Sequence, residues 1–467
     1  MDIRVKFLGA AKTVTGSKYL LEIDQYKLLI DCGLFQGVKD LRLKNWEPFP
    51  VEPSLIDAVV LTHAHLDHSG YLPRLYKEGY QGPIYCTAAT EDLLDVLLRD
   101  SAKLQEEEAA YAKKKGYSVH KDPKPLYDSK DVELVFPAIQ SYEFRQPVKI
   151  NEAITVTFYN AGHILGAAIV EVLVKGQHQT KKIIFSGDLG RYDDAILYDP
   201  EPVSEADILF IESTYGNRKN PLQEPVERLA EIINRTCERK GCLLIPAFAV
   251  GRTQAMLYYL KEVLDRQLIP EMNIFMDSPM AITATGLYRK HHIYHRLTDR
   301  DFREDESFMT LRKHLHIVRS AADSIALNEI RSNAIILSAS GMMNGGRILH
   351  HLFHRLPRES DTLLLVGYQA EGTRGKRIMD GEKTVRVFGQ PIPVACKVEF
   401  FEGLSAHADQ DELVRWLEGF QSSPKRTFCV HGEEQCSEEF AALIRQKFSW
   451  NVDVPSFMER VDLFQGI

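Results

Sequence analysis

What the chain lacks narrows it first. Its seven cysteines (Cys32, Cys86, Cys237, Cys242, Cys396, Cys429 and Cys436) are odd in number, scattered and never paired as CxxC. That argues against both a disulfide framework and a thiolate zinc site. No apolar run approaches the ~20 residues of a membrane-crossing helix, and Met1-Asp2-Ile3-Arg4-Val5-Lys6-Phe7 reads as a strand rather than a signal peptide. The expectation is a cytoplasmic protein with no membrane partner. An excess of positive charge is missing too: 57 Lys and Arg against 65 Asp and Glu leave a formal charge of -8, so nothing global favours a nucleic acid. Local basic candidates are Lys113-Lys114-Lys115, Arg289-Lys290-His291-His292, and Arg374 with Lys376 and Arg377; solvated surfaces explain each equally well. Nor is there an internal repeat, low-complexity tract or disordered tail. What remains is ordinary globular composition, 44% apolar and 26% charged, in a 467-residue chain long enough for two or three domains.

Against that background one stretch carries chemistry. Thr62-His63-Ala64-His65-Leu66-Asp67-His68-Ser69-Gly70 packs three imidazoles and a carboxylate into six positions, directly after the apolar segment Asp57-Ala58-Val59-Val60-Leu61. Alternate side chains of an extended chain share a face, so His63 and His65 can grip one ion while a turn at Asp67 and His68 swings two ligands toward a second. The spacing suggests two metals. An isolated histidine is usually a satisfied polar side chain; four ligand types so close together reverse that reading. His163 in Asn160-Ala161-Gly162-His163-Ile164-Leu165-Gly166 and Asp188 in Phe185-Ser186-Gly187-Asp188-Leu189-Gly190 follow apolar segments in the same way. Alone each is a weak signal, but behind the histidine run both become candidate ligands.

The chain's rhythm changes midway. Short strands are expected at Ile3 to Leu8, Lys18 to Ile23, Lys27 to Asp31 and Ala58 to Leu61, then a surface helix from Thr90 to about Lys115, where Leu, Ala, Glu and Lys dominate without Gly or Pro. Strands resume at Ile154 to Tyr159, Ala168 to Val174 and Lys182 to Ser186. After Asp199-Pro200-Glu201-Pro202, strands and helices alternate: Ile208 to Ile211, Val226 to Lys240, Cys242 to Ile245, Arg252 to Arg266, then strands at Asn273 to Met276, Ala334 to Leu337 and Thr362 to Val366 with helical stretches between. Such alternation predicts a parallel sheet covered on both faces. Beyond Pro391-Ile392-Pro393, strands are expected at Cys396 to Phe400 and Thr427 to Val430, with helices from about Asp409 to Phe420 and Glu434 to Phe448.

With these residues in view, the sequence resembles the metallo-β-lactamase superfamily, whose ligand motifs match His63, His65, Asp67, His68, His163 and Asp188. Glu212 in Phe210-Ile211-Glu212-Ser213-Thr214-Tyr215-Gly216, His407 in Ser405-Ala406-His407-Ala408-Asp409 and His431 in Val430-His431-Gly432-Glu433 match the three signature motifs of its β-CASP branch, the RNA-processing nucleases. The resemblance covers essentially the whole chain, in the short form without the N-terminal RNA-binding modules of archaeal relatives. It implies an α/β fold: a metallo-β-lactamase αββα sandwich at 1–205 and 396–467, with a β-CASP domain of parallel sheet and flanking helices inserted at 206–395. In that family an imidazole at the last motif goes with RNA rather than DNA, so His431 favours RNA.

Phosphodiester hydrolysis needs an activated water, a clamp on the non-bridging oxygens and a proton for the leaving oxygen. The resemblance implies that His63, His65 and His163 hold one ion and Asp67, His68 and His431 the other, with Asp188 bridging. The two ions would share an attacking hydroxide that Asp67 helps to orient; His407 would be the general acid for the departing 3′ oxygen and Glu212 would orient it. Nitrogen and oxygen ligands without thiolate make two zinc ions the expected cofactors, with manganese as the alternative. Asp31, in Leu29-Ile30-Asp31-Cys32-Gly33, either supports a ligand histidine or simply ends a strand. Gly-rich turns at 249–253, 338–347 and 372–376 mark Arg252, Ser340, Gly341, Arg347, Thr373 and Arg374 as candidate RNA contacts, although such turns are common in any α/β domain. The expected function is a ribonuclease that cuts single-stranded RNA, internally or from the 5′ end, in a cleft between the two domains. A small-molecule hydrolase, a DNA nuclease and a non-catalytic RNA-binding subunit are the alternatives, and a homodimer is among the expected partners.

Overall fold

Strand Ile3–Phe7 reads Ile-Arg-Val-Lys-Phe and buries every second side chain, the mark of a strand with one face on a core. The computed structural model, which describes all residues except 116–121, 221–224, 298–308, 368, 402–404 and 467, places this strand in a seven-stranded sheet. Its order is Arg460–Phe464, Ile3–Phe7, Tyr19–Ile23, Tyr26–Ile30, Ala58–Val60, Ile84–Thr87 and Ile139–Tyr142. A second seven-stranded sheet runs Val452–Asp453, Arg426–Val430, Ile208–Glu212, Thr180–Phe185, Ala168–Lys175, Ile154–Asn160 and Val148–Lys149. Their inner faces share one apolar layer in which Val5, Phe7, Leu21 and Ile30 meet Phe158, Phe185, Phe210 and Phe428. Helix Ala88–Lys115 packs on Ile84–Thr87 and Ile139–Tyr142, and helix Glu434–Phe448 on Arg426–Val430 and Val452–Asp453. The layering is the expected αββα sandwich.

A six-stranded sheet forms the other unit, in the order Leu315–Ile317, Asn273–Met276, Ala334–Ser338, Cys242–Pro246, Thr362–Val366 and Lys397–Phe401. Every pairing in it is parallel. Its central strands Cys242–Pro246, Ala334–Ser338 and Thr362–Val366 are buried along their whole length, as a sheet covered on both faces requires. Period-two alternation divides them between two cores: Leu243, Ile245, Ile335, Leu337, Leu364 and Val366 face one side with Leu229, Met256 and Leu260. Leu244, Ile336, Leu363 and Leu365 face the other with Ile348 and Leu352.

The two compact units are Met1–Lys219 with His407–Ile467, and Asn220–Ala406. Ile208–Glu212 belongs to the sandwich because it pairs with Thr180–Phe185 and Arg426–Val430, and Lys397–Phe401 belongs to the parallel sheet because it pairs with Thr362–Val366. Both strands lie in the other unit from the one their sequence rhythm suggests, since a short buried apolar run looks the same in either sheet. Among the described residues, no helix is long and apolar enough to cross a membrane.

Candidate metal centre

Each ligand candidate sits where a sandwich strand ends. Beyond Ala58–Val60 the chain bends at Thr62 and then turns into the short helix Leu66–Ser69, where the amides of His68 and Ser69 both donate to His65 O. His163 and Asp188 follow Ile154–Asn160 and Thr180–Phe185. Their loops lie backbone to backbone: Gly190 N donates to Ala161 O at 2.7 Å, and a Cβ on Gly190 would fall 1.8 Å from Gly162 O. His431 follows Arg426–Val430 in the left-handed region (φ 51°), latched by its amide to Ala10 O at 2.8 Å.

Seven side chains converge there in two groups. His63, His65, His163 and Asp188 form one, and Asp67, His68 and His431 another, each residue offering a donor atom within 4.8 Å of the rest of its group. In the first, His65 Nδ1 lies 3.1 Å from His63 Nε2 and 3.2 Å from His163 Nε2. In the second, His68 Nε2 lies 2.9 Å from His431 Nε2, and Asp67 Oδ2 is 3.6 Å from that His431 nitrogen. Asp188 faces both: Oδ2 is 3.5 Å from His63 Nε2 and His163 Nε2, and Oδ1 is 3.4 Å from His68 Nε2.

The far side of each ring decides which nitrogen points inward. Asp31 Oδ2 lies 2.7 Å from His68 Nδ1, so that nitrogen carries the proton and Nε2 faces the cluster. Thr62 Oγ1 donates to Asp31 at 2.9 Å and lies 3.1 Å from His63 Nδ1, which donates to it in turn. Thr214 Oγ1 does the same for His431, meeting Nδ1 and His431 O at 3.0 Å each. The sequence reading missed both threonines; their only signal was adjacency, Thr62 heading the histidine run and Thr214 lying within the Glu212 motif.

These groups suit a cation. Three ring nitrogens at hydrogen-bond separation cannot all be satisfied by their own protons, and the buried Asp188 Oδ1 has no well-aligned donor among the described residues. Burial pushes His65 down to about 4 and His63 well below the usual imidazole range, so both are neutral donors as metal binding requires. Burial also opposes a charge on His68, but Asp188 and Asp31 outweigh it and raise its pKa well above the ordinary value. The donors are nitrogen and oxygen only, a set that zinc accepts.

Glu212 ends its strand beside this cluster with its side chain wholly buried, while that of His407 keeps 16% exposure. The Glu212 carboxylate accepts from Leu189 N at 2.6 Å and from His407 Nδ1. Burial lowers the His407 pKa, but the Glu212 charge and hydrogen bond overcome it and leave the imidazole raised. The ring lies 4.4 Å from that of His163, centroid to centroid. Asp409, through a capping box with Glu412, starts helix Gln410–Leu417 and so anchors the segment that carries His407.

In the parallel unit the candidate RNA contacts gather at the carboxyl ends of the strands, where ligands of open α/β sheets bind. Gln369 Nε2 donates to Gly341 O at 3.3 Å, and Gly375 N to Met342 O at 3.2 Å. Thr373 caps helix Arg374–Met379 by accepting from Lys376 N. Asn344 N donates to Ser340 Oγ at 3.2 Å. Arg374 donates to Arg386 O and Met343 O, and buried Arg252 lies against Gly367. Arg347 turns elsewhere, to buried Asp277 at 2.7 Å and to the carbonyls of Val318 and Arg319. The neighbouring cations Lys376 and Arg377 are neutralised by Asp380 and Glu382.

Family models match a metallo-β-lactamase superfamily domain at residues 20–205, a Beta-Casp domain at 253–378 and a Zn-dependent metallo-hydrolase RNA specificity domain at 391–455. The chain is 37% identical to ribonuclease TTHA0252 of Thermus thermophilus over 93% of its own length and 94% of that protein's. The chain belongs to the β-CASP family of the metallo-β-lactamase superfamily. Other β-CASP relatives include the transcription termination factors FttA of Methanocaldococcus jannaschii, 31% identical over 98% of this chain and 71% of theirs, and of Methanosarcina mazei, 32% identical over 99% and 72%. A crystal structure of a protein of unknown function from Enterococcus faecalis matches 99% of this chain and 100% of its own with a TM-score of 0.55 at 14% identity, a likeness of fold alone. As a β-CASP protein this chain is a metal-dependent hydrolase, and its RNA specificity domain match includes both His407 and His431.

Proposed function

We propose that this chain is a zinc-dependent ribonuclease that hydrolyses phosphodiester bonds in single-stranded RNA with two ions at its metal centre. The observation that carries the reading is the Glu212–His407 pair standing beside a seven-ligand cluster. Hydrolysis of an activated ester needs no separate acid, whereas an alkoxide leaving group does. The relatives, a ribonuclease and transcription termination factors by name, support the same substrate class.

His63, His65 and His163 would hold one ion, Asp67, His68 and His431 the other, and Asp188 would reach both. When bound, zinc would supply a Lewis acid for the phosphate oxygens and a water made acidic near neutral pH. The protein's own groups do the rest. Asp67 would orient the attacking water from the side of the cluster that retains solvent, its side chain being 20% exposed. With Nδ1 committed to Glu212, His407 would deliver its proton from Nε2 to the departing 3′ oxygen. Asp31, Thr62 and Thr214 hold the ligand rings so that no reorientation is needed at the moment of reaction. The loops that carry Ser340, Gly341, Thr373 and Arg374 are proposed as contacts for the RNA backbone.

The test is cleavage of end-labelled single-stranded RNA and matched DNA by the zinc-loaded protein, beside Asp67→Asn and with a chelator. We expect metal-dependent cutting of RNA that Asp67→Asn loses while RNA binding persists, and the product ladder will separate internal from 5′-terminal attack. Preference for DNA would make it a DNA nuclease; inertness toward both polymers would overturn the reading.

A further inference from the structure

Beneath the ligand cluster, on the core side, lies a small, partly open cavity lined by Ser17, Tyr19, Asp31, Thr62, Asp188 and His431 among others. The space in it open to the centre of a water-sized sphere is about 10 Å³, room for one molecule. Two buried polar atoms on its walls, Tyr19 Oη and Asp188 Oδ1, make no well-aligned hydrogen bond to the described residues; the Ser17 hydroxyl lies beside the first and His68 Nε2 stands 3.4 Å from the second.

Tyr19 cannot turn its hydroxyl away. The residue is 4% exposed, and its ring is held by Phe7, Phe185 and Phe210 with centroids 6.1, 6.0 and 5.9 Å away. A phenylalanine would fill that aromatic cage equally well without burying a hydroxyl, and a buried hydroxyl without a partner costs stability. The tyrosine therefore makes physical sense if its hydroxyl is used. A buried water is stable where it finds two to four polar partners, and here a phenol, protonated at neutral pH, faces two carboxylates and the Ser17 hydroxyl around a single-water space.

We propose that this cavity holds one ordered water, which accepts from Tyr19 Oη and donates to Asp188 and Asp31, making Tyr19 a positioning residue for the carboxylate that faces both ligand groups. The inference rests on the metal-centre reading above and deepens it. Asp31 is already tied to His68 and, through Thr62, to His63. The water would join Asp188 to the same support, so that the bridging carboxylate is braced from below instead of relying on the ions to hold it.

The test is Tyr19→Phe in the full chain, with two readouts other than turnover: zinc affinity by competition with a chromophoric chelator, and thermal stability of the metal-stripped protein. We expect zinc binding to weaken about tenfold, the lower end of what removing an outer support does, together with a lowered melting temperature. A merely structural tyrosine would leave zinc affinity unchanged and gain stability on losing its hydroxyl, which would overturn the proposal. A high-resolution crystal structure of the wild-type protein covers the case in which the variant does not fold: density within hydrogen-bond reach of Tyr19 Oη supports the water, and an empty cavity overturns it. Wild-type protein that takes up no zinc would bring down the metal-centre reading and this inference together. Normal zinc uptake with an unaltered variant would bring down this inference alone.

Discussion

Glu212 and His407, 195 positions apart in the chain, meet with both carboxylate oxygens 3.1 to 3.2 Å from the imidazole Nδ1. The sign of this contact sets a pH prediction. Burial alone would discharge His407, but the Glu212 carboxylate raises its pKa above the usual 6.5. The protonated, acid-competent form therefore persists to higher pH than in an ordinary imidazole and is lost as pH rises through the raised value. Glu212→Gln keeps a hydrogen-bond acceptor but removes the charge, so the alkaline limb of the rate profile should move to lower pH. His407→Ala should cost roughly 10² to 10⁴ in turnover with zinc content unchanged, the usual worth of a positioned acid. Full turnover in His407→Ala with metals bound would remove it from the chemistry.

Asp31 supplies a second prediction, about affinity instead of rate. Its carboxylate lies 2.7 Å from His68 Nδ1 and accepts from the Thr62 amide and hydroxyl. Asp31→Asn preserves shape but leaves one acceptor oxygen where the carboxylate supplied two, for the Thr62 amide and for His68 Nδ1, so one of these donors faces the new NH₂ group and the hold on the His68 ring is weakened. Zinc affinity should fall by about 10- to 100-fold. Equilibrium dialysis against a chelator measures it directly, and unaltered retention would return Asp31 to the simpler role of a strand-end turn.

Which of these relationships the sequence could announce follows from how local they are. The candidate ligands were legible because four of them, His63, His65, Asp67 and His68, cluster in the chain as they do in space. Glu212 and His407 were legible only through motifs shared with a family, since no periodicity links residues so far apart. Thr62 and Thr214 act through which ring nitrogen they face, a property of rotamers that spacing does not encode. The placement of Ile208–Glu212 escaped for a related reason: five buried residues in a row fit either sheet, and pairing with Arg426–Val430 decides it from more than 200 residues away. Arg347 resembled a phosphate contact because it follows two glycines, while its acid partner Asp277 lies 70 positions upstream.

Arg374 and Arg347 should therefore respond differently to substitution. Arg374 is half-buried at the rim where the Gly-rich turns meet, and it donates to the backbone carbonyls of Arg386 and Met343. Among the described residues no carboxylate matches its charge, so Arg374→Glu should weaken RNA binding and reduce the log–log salt slope by about one. Arg347→Gln should instead act on stability. It strips the wholly buried Asp277 of a 2.7 Å ion pair, a loss on the order of 3 kcal/mol, and should leave the salt slope alone. Binding titrations across several salt concentrations, beside denaturant unfolding of both variants, check the pair. A weaker Arg374→Glu complex with an unchanged slope would show that the arginine only ties the loops together.

Lys18 tests the electrostatics of the sandwich away from the ligands. It is 3% exposed, with Nζ 4.5 Å from the centroid of Phe35 and 5.0 Å from that of Tyr71. Burial, with a smaller push from Lys44, lowers its pKa from 10.5 to about 8. Between those values the unfolded chain holds a proton that the folded chain has lost, so stability rises with pH across that window. Below pH 8 both states are charged and the full penalty applies, roughly 3 kcal/mol before the two ring faces return about half of it in a desolvated site. Lys18→Met retains the stem's packing without the charge. It should melt above the wild type at pH 7, and the difference should shrink as pH climbs from 8 toward 10.5. A difference that stays constant with pH would mean that Lys18 keeps an ordinary pKa in the fold, and a loss of stability at pH 7 would mean that the Phe35 and Tyr71 rings more than offset the cost of burying the charge.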